Sequence, residues 1–110
     1  MSTAHAKLAA GRWHTFPLVE QMANIGSEVE RAIKWKNKGN RDFFALAFER
    51  AIELLDLSLT DPKNMTRLKE LLRVRESLAD YFLFNNEYGS SDEKWRRYFY
   101  AFNYAARKDT

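Results

Sequence analysis

Four groups of residues have the types and spacing to bear on chemistry, and the first is a single arginine. Within the stretch MTRLKELLRVRESLADYFLF, Leu68, Leu71, Leu72, Leu78, Ala79 and Phe82 share one side of a helix at 100° per residue, and Arg75 falls among them. Arginine stays charged inside a protein, so an inward-facing one needs a carboxylate or several carbonyl oxygens. Glu28 and Asp56 are the candidate partners for a buried ion pair. A pocket for an anion such as phosphate, and an oligomer interface, are the alternatives.

The second group is carboxylates. Glu49, Glu53 and Asp56 form an i, i+4, i+7 stripe, and Glu76 with Asp80 forms an i, i+4 pair. Such spacing can hold a metal pair in a helical bundle, but the di-iron arrangement adds a Glu-x-x-His on each of two helices. The chain has two histidines, His5 and His14, and none after them. A solvated acidic face is therefore the expectation, with no metal site and no cofactor.

The third group lies near the C-terminus, where Arg96, Tyr100, Asn103 and Arg107 share a helix side, flanked by Arg97 and Tyr104. Interleaved arginine and tyrosine can pair with phosphates and stack on bases. They also populate protein interfaces. A basic, solvated helix end is the third meaning of the same pattern. The fourth group centres on Trp35, on the polar side of its helix beside Glu28, Arg31 and Lys38, within the basic run Lys34, Lys36, Lys38 and Arg41. Either Trp13 or Phe16 packs onto Trp35, or Trp35 belongs to a contact surface.

No catalytic residue emerges. Four scattered glycines make no phosphate loop, and no Ser-His-Asp or Cys-His set can be assembled from a chain without cysteine.

These residues must be carried by helices. Leu18, Met22, Ile25, Val29 and Ile33 recur at spacings of four, three, four and four, which predicts a helix over 16–38 started near Thr15 and Pro17 and ended at Gly39. Asn40 caps the next, over 41–60, which is apolar around most of its circumference and is expected to be the most deeply buried. Asp61 and Pro62 open a third, over 61–85. After the turn Asn85-Asn86-Glu87-Tyr88-Gly89, Ser90 or Ser91 caps a fourth, over 92–107, with Trp95, Tyr98, Phe99 and Phe102 inward. With 110 residues, 45% apolar and 30% charged, the chain makes one domain. The expected fold is all-α: an up-down-up-down four-helix bundle over 15–110, preceded by a loose arm over 1–14.

The basic turn WKNKGNRD, then AFERAIELLDLSL, a second amphipathic helix and a final aromatic helix resemble the HEPN-type bundles over about Ile25 to Arg107. Those small prokaryotic helical proteins accompany nucleotidyltransferases or act as RNases. The RNase members place an arginine, several spacers and a histidine on the last helix; here Arg97 is followed by Asn103. The resemblance implies a non-catalytic member.

The expected function is a non-catalytic interaction module that self-associates as a homodimer or binds a protein partner. The alternative is a nucleic-acid or nucleotide-binding bundle using the helix 4 arginines and the Lys34 to Arg41 turn. A net charge of +3 with both signs interspersed is mild for a nucleic-acid binder. The N-terminus lacks a signal-peptide apolar core and no stretch has the length of a membrane span, so a cytoplasmic protein without membrane contact is expected.

Overall fold

The computed structural model describes residues 10–108. Four long helices make the fold: α1 (Leu18–Asn37), α2 (Arg41–Leu59), α3 (Leu68–Leu83) and α4 (Asp92–Lys108). A 3-10 stretch, Pro62–Arg67, joins α2 to α3. No strand occurs among the described residues.

The turns follow from their residues. Gly39 takes the left-handed conformation that ends α1, and the Asn40 side chain accepts from the Phe43 N–H to open α2. Asp61 accepts from the Lys63 N–H, with Pro62 in the first turn. Ser91, rather than Ser90, caps α4 by accepting from the Lys94 N–H.

Each consecutive pair of helices runs antiparallel. Trp35 meets Phe43 while Gln21 reaches Ser58, which sets α1 against α2. Phe44 packs on Phe82 and Asp56 binds Arg75, which sets α2 against α3. Tyr81 binds Asp92 and Glu70 accepts from Tyr98, which sets α3 against α4. Lys36 to Asp92 and Glu30 to Arg96 close the ring between α4 and α1. The topology is thus an up-down-up-down bundle.

The core is built from Met22, Ile25, Val29, Ile33, Ala51, Leu55, Leu71, Val74, Leu78, Trp95 and Phe99. The most enclosed helix is α1, not α2 as the breadth of its apolar surface suggested. Six residues of α1 are buried, Gln21, Met22, Ile25, Val29, Ala32 and Ile33, against four of α2. The cause is position: α1 packs along both α2 and α4. At Gly26 the approach is so close that an added Cβ would lie 2.7 Å from the Phe99 Cβ. Small residues at a helix crossing permit that proximity. The surplus apolar residues of α2, Phe43 and Leu46, remain exposed.

The boundary of the domain also shifts. Residues 1–9 lie outside the described residues, but Trp13 is buried and its indole N–H donates to Ser58 Oγ at 2.8 Å. The packed bundle therefore begins before Thr15, and residues 10–14 are not a loose arm.

Trp13 belongs to a closed polar layer at that end of the bundle. Ser58 Oγ donates to Gln21 Oε1 (2.9 Å), Asn64 Nδ2 donates to the same oxygen (2.9 Å), and Gln21 Nε2 donates to Asp61 Oδ2 (2.9 Å) and to the Trp13 carbonyl (3.1 Å). Gln21, Ser58 and Asn64 are essentially inaccessible to water. Buried polar groups are tolerated when each finds partners, and here they do. Burial pushes the Asp61 carboxyl up, and the hydrogen bonds from Lys63 and Gln21 outweigh it to leave it below the usual range.

Candidate functional site

Arg75 lies at the rim of the bundle. Its Nε donates to Asp56 Oδ1 at 2.7 Å across the α2–α3 interface, with side chains 41% and 50% exposed. Asp56 is one of the two expected partners, but the pair is not buried. The hydrogen bond it donates to Asp56 holds the guanidinium above its ordinary value. The displacement has a simple origin: Leu72 is exposed, whereas Val74 is buried with Leu71 and Leu78. The inward sector of α3 is thus turned away from Arg75.

Trp35 does not receive Trp13 or Phe16. Its ring meets Phe43 edge-on at 4.8 Å, and the amines of Lys34 and Lys38 stand over it at 5.1 and 5.3 Å. It is half-buried, beside a shallow groove shared with Leu46 and Arg50. Lys36 leaves the basic run entirely. Its amine donates to Asp92 at 2.7 Å and to Tyr81 Oη at 3.0 Å.

That contact forms a clamp of three helices. Asp92 also accepts from Tyr81 Oη at 2.5 Å and from Asn37 at 3.1 Å. Partial burial would raise its pKa, yet the bonds from Lys36, Tyr81 and Asn37 bring it down to about 2. Burial alone would lower Lys36, and the bonds to Asp92 and Tyr81 hold it above its ordinary value. Tyr81 is raised by burial and by donating to Asp92. All three groups are satisfied by one another, so the clamp fixes helix ends rather than presenting a base or nucleophile.

The α4 face keeps its predicted composition. Arg96 Nε donates to Glu30 of α1 at 2.9 Å, and Arg97 donates to Glu93 one turn earlier at 3.0 Å. Tyr100, 66% exposed, and Tyr104 project outward with Asn103 and Arg107. Arg96, Tyr100 and Asn103 edge a groove between α1 and α4 whose floor includes Gly26, Trp95 and Phe99. The two arginines at the start of this face are thus already engaged by carboxylates.

The carboxylates do not converge. Glu49 and Glu53 are exposed, Asp56 serves Arg75, and Glu76 accepts from Tyr88 Oη. Asp80, nearly buried, accepts from the backbone N–H groups of Glu87 and Tyr88 at 2.9 and 3.1 Å. No group of three or more metal-ligating side chains comes together among the described residues.

Asp80 leads to a surface the apolar pattern did not reveal. By binding those two amides it folds the α3–α4 loop back along α3, aided by Asn86 and Gly89 at positive φ. The result is a groove of about 630 Å³ lined by Leu72, Ala79, Phe84 and Tyr88 and rimmed by Arg75, Glu76 and Glu87. Phe84 is 72% exposed at its edge, and Leu83 beside it is exposed as well. The sequence signal was the pair of left-handed-capable residues, Asn86 and Gly89, with an acid one turn from the helix end.

Comparison of the chain with protein-family models, with curated proteins and with solved structures finds no match. No described helix is long and apolar enough to cross a membrane.

Proposed function

We propose that this bundle is a protein-interaction module and that the groove of Leu72, Ala79, Phe84 and Tyr88 is its principal contact surface. The observation that carries this reading is Phe84 held outward, next to other apolar side chains, by a loop whose backbone is fixed by Asp80. Clustered exposed apolar groups inside a polar rim have the anatomy of an interface. A pre-folded loop reduces the ordering cost of binding.

The nucleic-acid reading has less support. Phosphate recognition asks for cations that converge on the backbone of the ligand. Here Arg96, Arg97, Arg75 and Lys36 each hold a carboxylate, and Lys34 and Lys38 lie over Trp35.

A photo-crosslinking amino acid at position 84, in the full chain expressed in its native cell, tests the proposal. The expected product is a discrete adduct destroyed by protease and resistant to nuclease, absent when the crosslinker is placed at exposed Glu53. An adduct containing nucleic acid, or equal labelling at both positions, would contradict it.

A further inference from the structure

The outer face of α4 is self-complementary. Glu93, Arg97, Tyr100, Tyr104 and Arg107 are exposed on the side of the helix opposite Trp95 and Phe99, and exposed Arg96 and Asn103 flank that side toward α1. The helix begins with Asp92 and Glu93 and ends with Arg107 and Lys108. A second copy of α4 laid antiparallel on the first, with its twofold axis at Tyr100, sets Glu93 opposite Arg107 and Arg97 opposite Tyr104, with Arg96 and Asn103 at the margin toward α1. Each pairing then occurs twice, as an isologous contact requires. Antiparallel alignment also sets each helix's N-terminal dipole end beside the other's C-terminal end.

We propose that α4 is a homodimerisation face and that the partner seated on it is a second copy of this chain. The proposal rests on the reading of the chain as an interaction module, but it uses a different face from the Phe84 groove. A parallel arrangement would bring Glu93 against Glu93 and Arg107 against Arg107, and like charges in register are repulsive. In the antiparallel arrangement Tyr100 stacks against its own copy at the axis, and each Tyr104 ring covers an Arg97 guanidinium held in place by Glu93. A helix of 17 residues is roughly 25 Å long. One helix face of that length falls at the small end of stable interfaces, so the dimer dissociates on dilution.

The chain contains no cysteine, so a single one introduced on the axis reports the contact without interference. Packed helices lie about 8–10 Å apart with Cα atoms on cylinders of radius about 2.3 Å, which brings two facing Cα atoms within disulfide reach once the tyrosine is replaced. The test compares the oxidation of a Tyr100→Cys variant with that of a Glu49→Cys control on α2, alongside sedimentation of the unmodified chain over a dilution series. The expected results are a monomer–dimer equilibrium and covalent dimer formed at least about tenfold faster from position 100 than from position 49, on the scale that proximity gives an intramolecular partner. A second pair of variants makes the outcome independent of thiol chemistry: Glu93→Arg weakens the dimer about tenfold, and adding Arg107→Glu restores it.

A monomer at every concentration, equal oxidation at the two positions, or no rescue by the double reversal overturns the proposal. If any of these occurs while position 84 still crosslinks to a protein, the partner is not a second copy on α4 and the interaction reading stands. If position 84 instead labels nucleic acid, it is that reading which fails.

Discussion

At the end where α1 begins and α2 finishes, polar side chains are inside: Gln21, Ser58 and Asn64 are buried and joined to Trp13 and Asp61 by hydrogen bonds. On the outer flank of α3 and its loop, apolar side chains are outside: Leu72, Leu83, Phe84 and Tyr88 stand exposed. Both regions depart from the rule that apolar residues lie within, and they depart for different reasons. The first satisfies every group it buries and so fixes how α1, α2 and the 3-10 stretch align. The second exposes apolar surface that adds little to folding and is available to a partner.

The comparison is most easily broken at Gln21, whose amide bonds Ser58, Asn64, Asp61 and the Trp13 carbonyl. Gln21→Ala orphans several buried groups at once and is expected to cost about 3 kcal/mol, read as a fall in the urea midpoint. A cost under about 1 kcal/mol would mean that the polar layer is incidental. The two buried tryptophans sharpen the point. Trp13 donates to Ser58, whereas the Trp95 N–H is buried with no acceptor among the described residues. Trp13→Phe should therefore destabilise by about 1–2 kcal/mol more than Trp95→Phe in the same denaturation experiment, since only the first leaves an acceptor unpaired.

The clamp of Lys36, Tyr81 and Asp92 is smaller and depends on pH. The folded-state pKa of Asp92, about 2, lies below its ordinary 3.8, so its contribution is complete above pH 4 and is lost as pH falls toward 2. Between those limits the melting temperature of the native chain should fall more steeply than that of Asp92→Asn. Parallel curves would remove the clamp from the account of stability. Smallest is Arg75, whose pair with Asp56 is about half exposed. Arg75→Ala is expected to cost no more than about 1 kcal/mol by thermal melting, because solvent screens such pairs; a loss of 3 kcal/mol or more would be the signature of a buried ion pair.

The fold was legible because its markers are local. The four-residue and three-residue recurrence from Leu18 to Ile33 and the Gly39-Asn40 punctuation act within a few residues, and α1 and α2 follow them. The Asp61-Pro62 break instead opens a 3-10 stretch, and the third helix begins only at Leu68, not at 61. Depth was not legible. The broad apolar surface of α2 could not disclose that α1 takes two neighbours and α2 leaves Phe43 and Leu46 in solvent. Nor could a helical wheel place Arg75, since including Leu72 and omitting Val74 rotates the inferred stripe toward it. The polar layer joins residues more than thirty positions apart, Gln21 to Ser58 and Trp13 to Ser58, and no periodic pattern encodes such a meeting. Of the candidate surfaces, the α4 face was readable from its spacing. The Phe84 groove depends on a loop turned by Asp80, which looked like one half of an acidic pair.

Thermal melting of Gln21→Ala against the double variant Leu72→Ser/Phe84→Ser tests the division between the two regions most directly. The polar-layer variant should melt 10 °C or more below the native chain, by the ~4–8 °C per kcal/mol typical of a domain this size. The double variant should stay within about 3 °C, as substitutions outside the packed core do. A double variant that melts as low as Gln21→Ala would show that the α3 surface holds the fold together, and would contradict its assignment to a partner.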